Sequence, residues 1–294
     1  MALLDLHFAP QLAEIEARLA KGADPAEAFR GLDDDLFALI SGKDYAGHDA
    51  VKAALPDYPD NHWISNCTGN HTLHDAVQEA SLFWRLAKEA YAAHGRRGPL
   101  ATATVADYGA GWGRITRFCP KDAGRVVAIE PNETFHEIWR QTRVPGELVA
   151  SDFLSKKKLP VSDIDLLICF SILTHASDAL AKNIAKRWAE IVAPGGVVLF
   201  TVRPGTYLDL DGGEIDRLSP ADKAAARSAY EAGRIAYWPY PECPSDWGVT
   251  VMPMAYLEQL FGRHFEIIGP RYFLQNHTQL PIVMVRRQGG WFGS

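Results

Sequence analysis

The chain has 294 residues, of which 47% are hydrophobic and 22% charged. That is enough apolar material for one large domain, or for one domain with a smaller companion. Its net charge of −6 argues against a nucleic-acid binder, which carries a basic face; the one cationic run, Lys156-Lys157-Lys158, reads as a solvated loop.

No apolar run of the roughly 18 residues that a membrane span needs occurs, so no membrane insertion is expected. The start, MALLDLHFAPQLAEIEARLA, has acidic residues and helical periodicity and lacks a basic n-region, so it is not read as a signal peptide. Cys67, Cys119, Cys169 and Cys243 are scattered without a CxxC pair, which fits reduced thiols in a cytoplasmic protein.

Residues 1–97 read as a helical N-terminal cap or lid. Gln11 to Ala20 has apolar positions at helical spacing, and residues 33–70 are rich in turn formers: DDD, SGKD, PDYPDN and CTGN. A longer helix is predicted from Thr72 to His94, opened by a capping box of Thr72 with Asp75. From residue 98 strands and helices alternate, with strands expected over 102–107, 125–130, 147–150, 165–170 and 196–202. Alternation implies parallel strands with crossover helices, and runs such as LLICF and VVLF fit a sheet covered on both faces. Residues 206–250 break the rhythm as an insertion rich in Gly, Pro, Tyr and Trp, with one polar helix near 220–234. A helix over 254–261 and a closing hairpin of strands 265–272 and 281–287 follow. The expected architecture is α/β: a Rossmann-like doubly wound sheet of seven strands, the last antiparallel, over residues 98–294.

The stretch VADYGAGWGRITRF, residues 105–118, places three glycines after a strand, where a tight turn and a helix are predicted to hold a ligand. Its G-x-G-x-G spacing departs from the dinucleotide fingerprint G-x-G-x-x-G, with Arg114 where the third small residue would stand, and no phosphate-loop motif is present. Asp107, two residues before the first glycine, would repel a pyrophosphate and favour a ligand with an ammonium group. Glu130 ends the second strand, where a carboxylate can accept both hydroxyls of a ribose. Asp152 and Phe153 end the third strand, suited to an adenine amino group and ring face, and FSILTHAS follows the fourth.

In this order the features resemble the class I S-adenosylmethionine-dependent methyltransferases over residues 98–205 and 254–287. The resemblance implies S-adenosylmethionine as cofactor. Asp107, Gly109 and Gly111 would lie by its methionine part, Glu130 on the ribose, Asp152 and Phe153 on the adenine, and Phe170 and Ser171 beside the sulfonium. Thr68 and Gly69 would belong to a lid, as segments before the first strand often do in related enzymes. NCTGNHTLHDA, FSILTHAS, WGVTVMPMAYLEQLFGRHFEII and NHTQLPIVMVRR are further similar to methyltransferases of sugar and cell-surface polysaccharide modification. The turn Asn-His-Thr-Gln and the long aromatic insertion depart from those relatives.

The implied reaction is methyl transfer to a small acceptor, most simply O-methylation of a sugar or nucleotide-sugar; N-methylation, or cofactor binding without catalysis, are the other readings. A hydroxyl acceptor calls for a base near its working pKa. His175 reads either as that base or as a helix-start histidine bonded to backbone, and His277 as base or ordinary turn residue. Arg203 would pair with an acidic acceptor group or form a salt bridge. Tyr237, Trp238 and Trp247 offer flat faces to a sugar or pack the loop, and Asn276 accompanies His277 in the last turn. His71 and His74 have i, i+3 spacing but no evident further ligand, so no metal is expected. Oligomeric state is not encoded in any of these patterns.

Overall fold

Strands form where the sequence is most continuously apolar. In the computed structural model, which describes residues 7–68, 72–155, 157–243, 246–273 and 278–288 (side chains of Cys67 and Thr68 excepted), they are β1 (Thr104–Tyr108), β2 (Arg125–Glu130), β3 (Glu147–Ala150), β4 (Ile164–Cys169), β5 (Val192–Val202), β6 (Ala236–Pro239), β7 (Gly248–Val251), β8 (Phe265–Pro270) and β9 (Leu280–Arg286). Seven of them form one sheet in the order β3-β2-β1-β4-β5-β9-β8, and β6 and β7 pair separately. β1, β2 and β3 run parallel, as do β4 and β5, whereas β9 is antiparallel to both β5 and β8. The seven-stranded Rossmann-like sheet with an antiparallel last strand is therefore present. The closing hairpin is inverted in space: β9 lies against β5, and β8 takes the edge.

By internal contacts the chain forms two compact units, Met1–Glu89 with Pro99–Ala150, and Ala90–Gly98 with Ser151–Ser294. The first holds the N-terminal helices α1 (Ala9–Ala20), α2 (Pro25–Ala28), α3 (Asp34–Ser41), α4 (Asp49–Ala54) and α5 (Asn61–Thr68), most of α6 (Leu73–His94), and α7 (Glu133–Thr142) between β2 and β3. Residues 33–70, rich in turn formers, thus include three short helices, the first of them capped by Asp33, whose side chain accepts from the N–H groups of Asp35 and Leu36. The Thr72–Asp75 cap is formed, with Thr72 Oγ1 accepting the Asp75 N–H at 3.1 Å and donating to its carboxylate at 2.7 Å. Lys121, only 2% exposed, joins Asp34 at 2.7 Å and Asp122 at 2.8 Å, and Lys88 bridges the same two carboxylates. This ion network ties the N-terminal helices to the segment after β1.

The second unit holds α8 (Asp178–Ile191), which runs directly into β5, then α9 (Pro220–Glu231) and α10 (Met254–Phe261). Its insertion is no loop packed only by its aromatics. Ala236, Val249 and Val251 of the β6–β7 pair close with Tyr207, Ile215 and Ala226 into a core of their own. The alternation of aromatic and β-branched residues around 236–251 forms strands where only a loop and one helix were expected.

Candidate functional site

In the first unit the glycine turn leaves β1 with all three glycines left-handed: Gly109 at φ 81°, Gly111 at 54° and Gly113 at 79°. No α-helix follows; a single 3-10 turn, Thr116–Phe118, stands in its place. Between Gly113 and Pro120 only six residues remain, too few to offset helix nucleation, so the expected helix with free N–H groups is corrected to a chain of turns. Side chains hold the turn instead. Arg114 pairs with Glu79 of α6, both buried. The Arg117 guanidinium lies over the rings of Tyr58 and Trp112, at 4.1 and 5.0 Å, and donates to Gly113 O at 3.2 Å. Trp112 packs with Ile64 of α5 and Ala76 of α6, so the segments that flank Thr68 and Gly69 are anchored on the glycine turn. Gly69 itself and the Thr68 side chain lie outside the described residues.

The two acids of this unit differ in how they are held. Asp107, 2% exposed, accepts from Thr116 Oγ1 at 2.6 Å; burial, reinforced by Glu130, pushes its pKa up to about 6, against the pull of that hydrogen bond and of Arg114. Glu130 accepts the Gly111 N–H through Oε2 at 2.8 Å and the Asn132 N–H through Oε1 at 2.9 Å; burial raises its pKa and these two bonds lower it. A carboxylate has about four lone-pair positions, so two remain for ribose hydroxyls. A Cβ built on Gly111 would meet nothing within 4 Å, which leaves room for a ligand against the backbone there. The residues present thus fit an ammonium- and ribose-bearing cofactor.

In the second unit Asp152 is exposed and closes an Asx turn on the Leu154 N–H at 2.8 Å, while Phe153 is buried and its carbonyl accepts from Asn183. Phe170, also buried, meets Phe273 edge-on at 6.0 Å. Ser171 is left-handed at φ 62°, a conformation that costs a non-glycine residue about 1–2 kcal/mol. Its surroundings enforce it: Ser171 N–H donates to Thr201 Oγ1 at 2.8 Å, Thr201 Oγ1 donates to Gln279 Oε1 at 2.6 Å, and Gln279 Nε2 returns to Ser171 Oγ at 2.9 Å. Thr201 and Gln279 are thus as much part of this corner as Ser171.

His175 lies a few residues after β4, clamped to the insertion. Its carbonyl accepts the Gly248 N–H at 2.8 Å, Thr250 N–H donates to Thr174 O at 2.9 Å, and Ser177 N–H donates to Asp246 O at 3.0 Å. Nδ1 lies 2.9 Å from Gly248 O. A carbonyl can only accept, so Nδ1 carries the proton and Nε2 the lone pair. Tyr240 Oη, 3.0 Å from Nδ1, shares that proton and donates its own to Glu214. Trp247 stacks on the imidazole at 5.5 Å and 20°. Among the described residues Nε2 has no hydrogen-bond partner. Burial, then the nearby Arg203 charge, pulls the His175 pKa down to about 4 against Glu214, so the ring is neutral at ordinary pH.

Arg203, 6% exposed, is committed inside the protein. It donates to Thr174 O at 2.6 Å, pairs with Glu214 and lies over Tyr207. These contacts tie it to Thr174, next to His175, and to Glu214, the partner of Tyr240. Trp238 packs on the insertion core and Tyr237 pairs in register with Thr250. Asn276, His277 and His71 lie outside the described residues. Glu214, Tyr240 and Gly248 surround His175; Tyr240 belongs to the aromatic run, but Glu214 sits in a single 3-10 turn, Gly213–Arg217, too short to carry a periodic signal. Among the described residues no group of three or more His, Cys, Asp or Glu side chains is arranged to hold a metal, and no helix is long and apolar enough to cross a membrane.

Residues 105–196 match the family model described as a methyltransferase domain. No curated protein matches the chain. Among solved structures it is similar to an S-adenosylmethionine-dependent methyltransferase from Clostridium acetobutylicum (12% identity, 77% of this chain and 97% of that one, TM-score 0.49). It is also similar to the glycopeptide N-methyltransferase MtfA in complex with S-adenosyl-L-methionine (18% identity, 69% and 94%, TM-score 0.46). Residues 105–196 are a methyltransferase domain.

Proposed function

We propose that the enzyme methylates a hydroxyl group of a small sugar or nucleotide-sugar, without a metal, and that His175 is the base. The observation that carries this reading is the His175 tautomer: Nδ1–H held by Gly248 O and Tyr240 leaves Nε2 with a lone pair and no partner among the described residues. S-adenosylmethionine supplies a methyl group on a positively charged sulfur, which needs no further activation by the protein. As the acceptor oxygen forms its new bond it becomes strongly acidic, so a base whose pKa is lowered to about 4 suffices to take the proton late in the step. Glu214, through Tyr240, faces the imidazolium that results. In the cofactor part of the reading, Asp107 meets the ammonium, Glu130 the ribose and Phe153 with Asp152 the adenine, while Ser171, fixed by Thr201 and Gln279, stands near the sulfonium. The ring faces of Tyr237, Trp238 and Trp247 suit the C–H faces of a sugar. Free Cys119, Cys169 and Cys243 accord with a cytoplasmic setting.

The test is label transfer from methyl-tritiated S-adenosylmethionine to a panel of nucleotide-sugars, free sugars and amines. Labelled sugar ether is expected, lost by at least about 100-fold in His175→Ala with cofactor affinity kept. The kcat/KM profile should be flat from pH 5.5 to 7.5, because the free-enzyme histidine titrates near 4. Label in amines alone, or an acid limb near pH 6.5 that survives His175→Ala, would refute the proposal.

A further inference from the structure

A cavity of about 860 Å³ opens in the second unit, walled by α8, α10, the Gly233–Ile235 turn and the start of β8. None of the residues assigned above to cofactor or acceptor lines it. Its floor is apolar, from Ala185, Ala189, Ile235, Leu260, Phe261 and Phe265. Its rim is cationic. Lys182 is paired with Asp178 at 2.7 Å, but Lys186, Arg234 and Arg263 form no ion pair among the described residues. Among the described residues Arg286 donates only to the carbonyls of His264 at 2.7 Å and Ala189 at 3.2 Å, and its Nε is buried without a partner. Against these charges stands one lining carboxylate with no ion pair among the described residues, Glu190. The positive field is felt within the cavity: burial first, then Arg286 and Arg263, lower the pKa of His264.

A solvated basic face would spread such charges on a convex surface. Here they border a concavity with a partly apolar lining, which suits a ligand with an anionic head and an apolar body. We propose that this cavity binds a small organic phosphate as a second ligand of the enzyme. The site is placed to act on the first. Asp178, in its wall, is three residues from His175, and Arg234 and Ile235 lead into β6, just before Tyr240. An occupant therefore lies against the start of the helix that follows His175 and against the residues that lead into the strand before Tyr240.

Phenyl phosphate is the probe, titrated into the full chain by calorimetry with and without saturating S-adenosylmethionine. One molecule should bind per chain. The double substitution Lys186→Glu with Arg263→Glu, at exposed positions, should weaken it at least tenfold, and Glu190→Lys should tighten it severalfold, a gain that misfolding cannot produce. Benzoate should bind more weakly and benzyl alcohol not at all. Unchanged affinity in the charge variants, or benzyl alcohol binding as well as phenyl phosphate, would overturn the anion site; benzoate binding more tightly would overturn the phosphate assignment.

Discussion

Asp107→Asn removes the charge from the most enclosed carboxylate of the glycine turn while leaving an oxygen to accept from Thr116. Burial lifts the Asp107 pKa from 3.8 to about 6. At about 1.4 kcal/mol per unit, holding the ionised form in the folded protein costs about 3 kcal/mol at neutral pH. The sign follows from proton counts: between about pH 4 and 6 the folded state keeps a proton that the unfolded state has released. Wild-type stability relative to the variant therefore falls as pH rises through that window and is level above it. Without cofactor, Asp107→Asn should be more stable by about 2–3 kcal/mol at pH 7 and equal to wild type near pH 4. Urea unfolding at half-unit pH steps measures this. Saturating S-adenosylmethionine should reverse the order, because the wild type gains binding energy from an ammonium that the amide cannot pair. Parallel stability curves from pH 4 to 8, or a variant less stable than wild type at pH 7 without cofactor, would refute the argument.

Gly111 and Gly113 should separate cofactor binding from packing. Gly113→Ala places a Cβ 2.7 Å from Val144 and 2.8 Å from Trp139 at φ 79°, and should cost about 2–4 kcal/mol in urea unfolding. Gly111→Ala meets open space at φ 54° and should cost about 1 kcal/mol in the same assay, yet weaken S-adenosylmethionine at least tenfold in calorimetry. Asp34→Ala leaves Asp122 as the one carboxylate shared by Lys88 and the buried Lys121 among the described residues and should cost about 3 kcal/mol in thermal or urea unfolding, with cofactor affinity in the folded protein unchanged.

What the sequence makes visible is what repeats or runs. β2, β3 and α10 have the bounds that their apolar patterns predict, because each is a short hydrophobic element closed by turn formers or charges. The order of Asp107, the glycines and Glu130 is likewise local, with every residue near a strand end. The absence of a helix after the glycine turn has a local cause, since Pro120 leaves too little room to nucleate one. Glu214 and Gly248 have no such signal. Their value lies in reaching Tyr240 and His175 across 26 and 73 residues, and a polar pairing at that separation leaves no period in the chain. The same distance reconciles the two sequence readings of His175, base or backbone-bonded histidine. The bond from Nδ1 to a backbone carbonyl is present, and because a carbonyl cannot donate, that bond is what fixes the proton on Nδ1 and leaves Nε2 able to accept one. The bland contact is thus the one that prepares the reactive nitrogen.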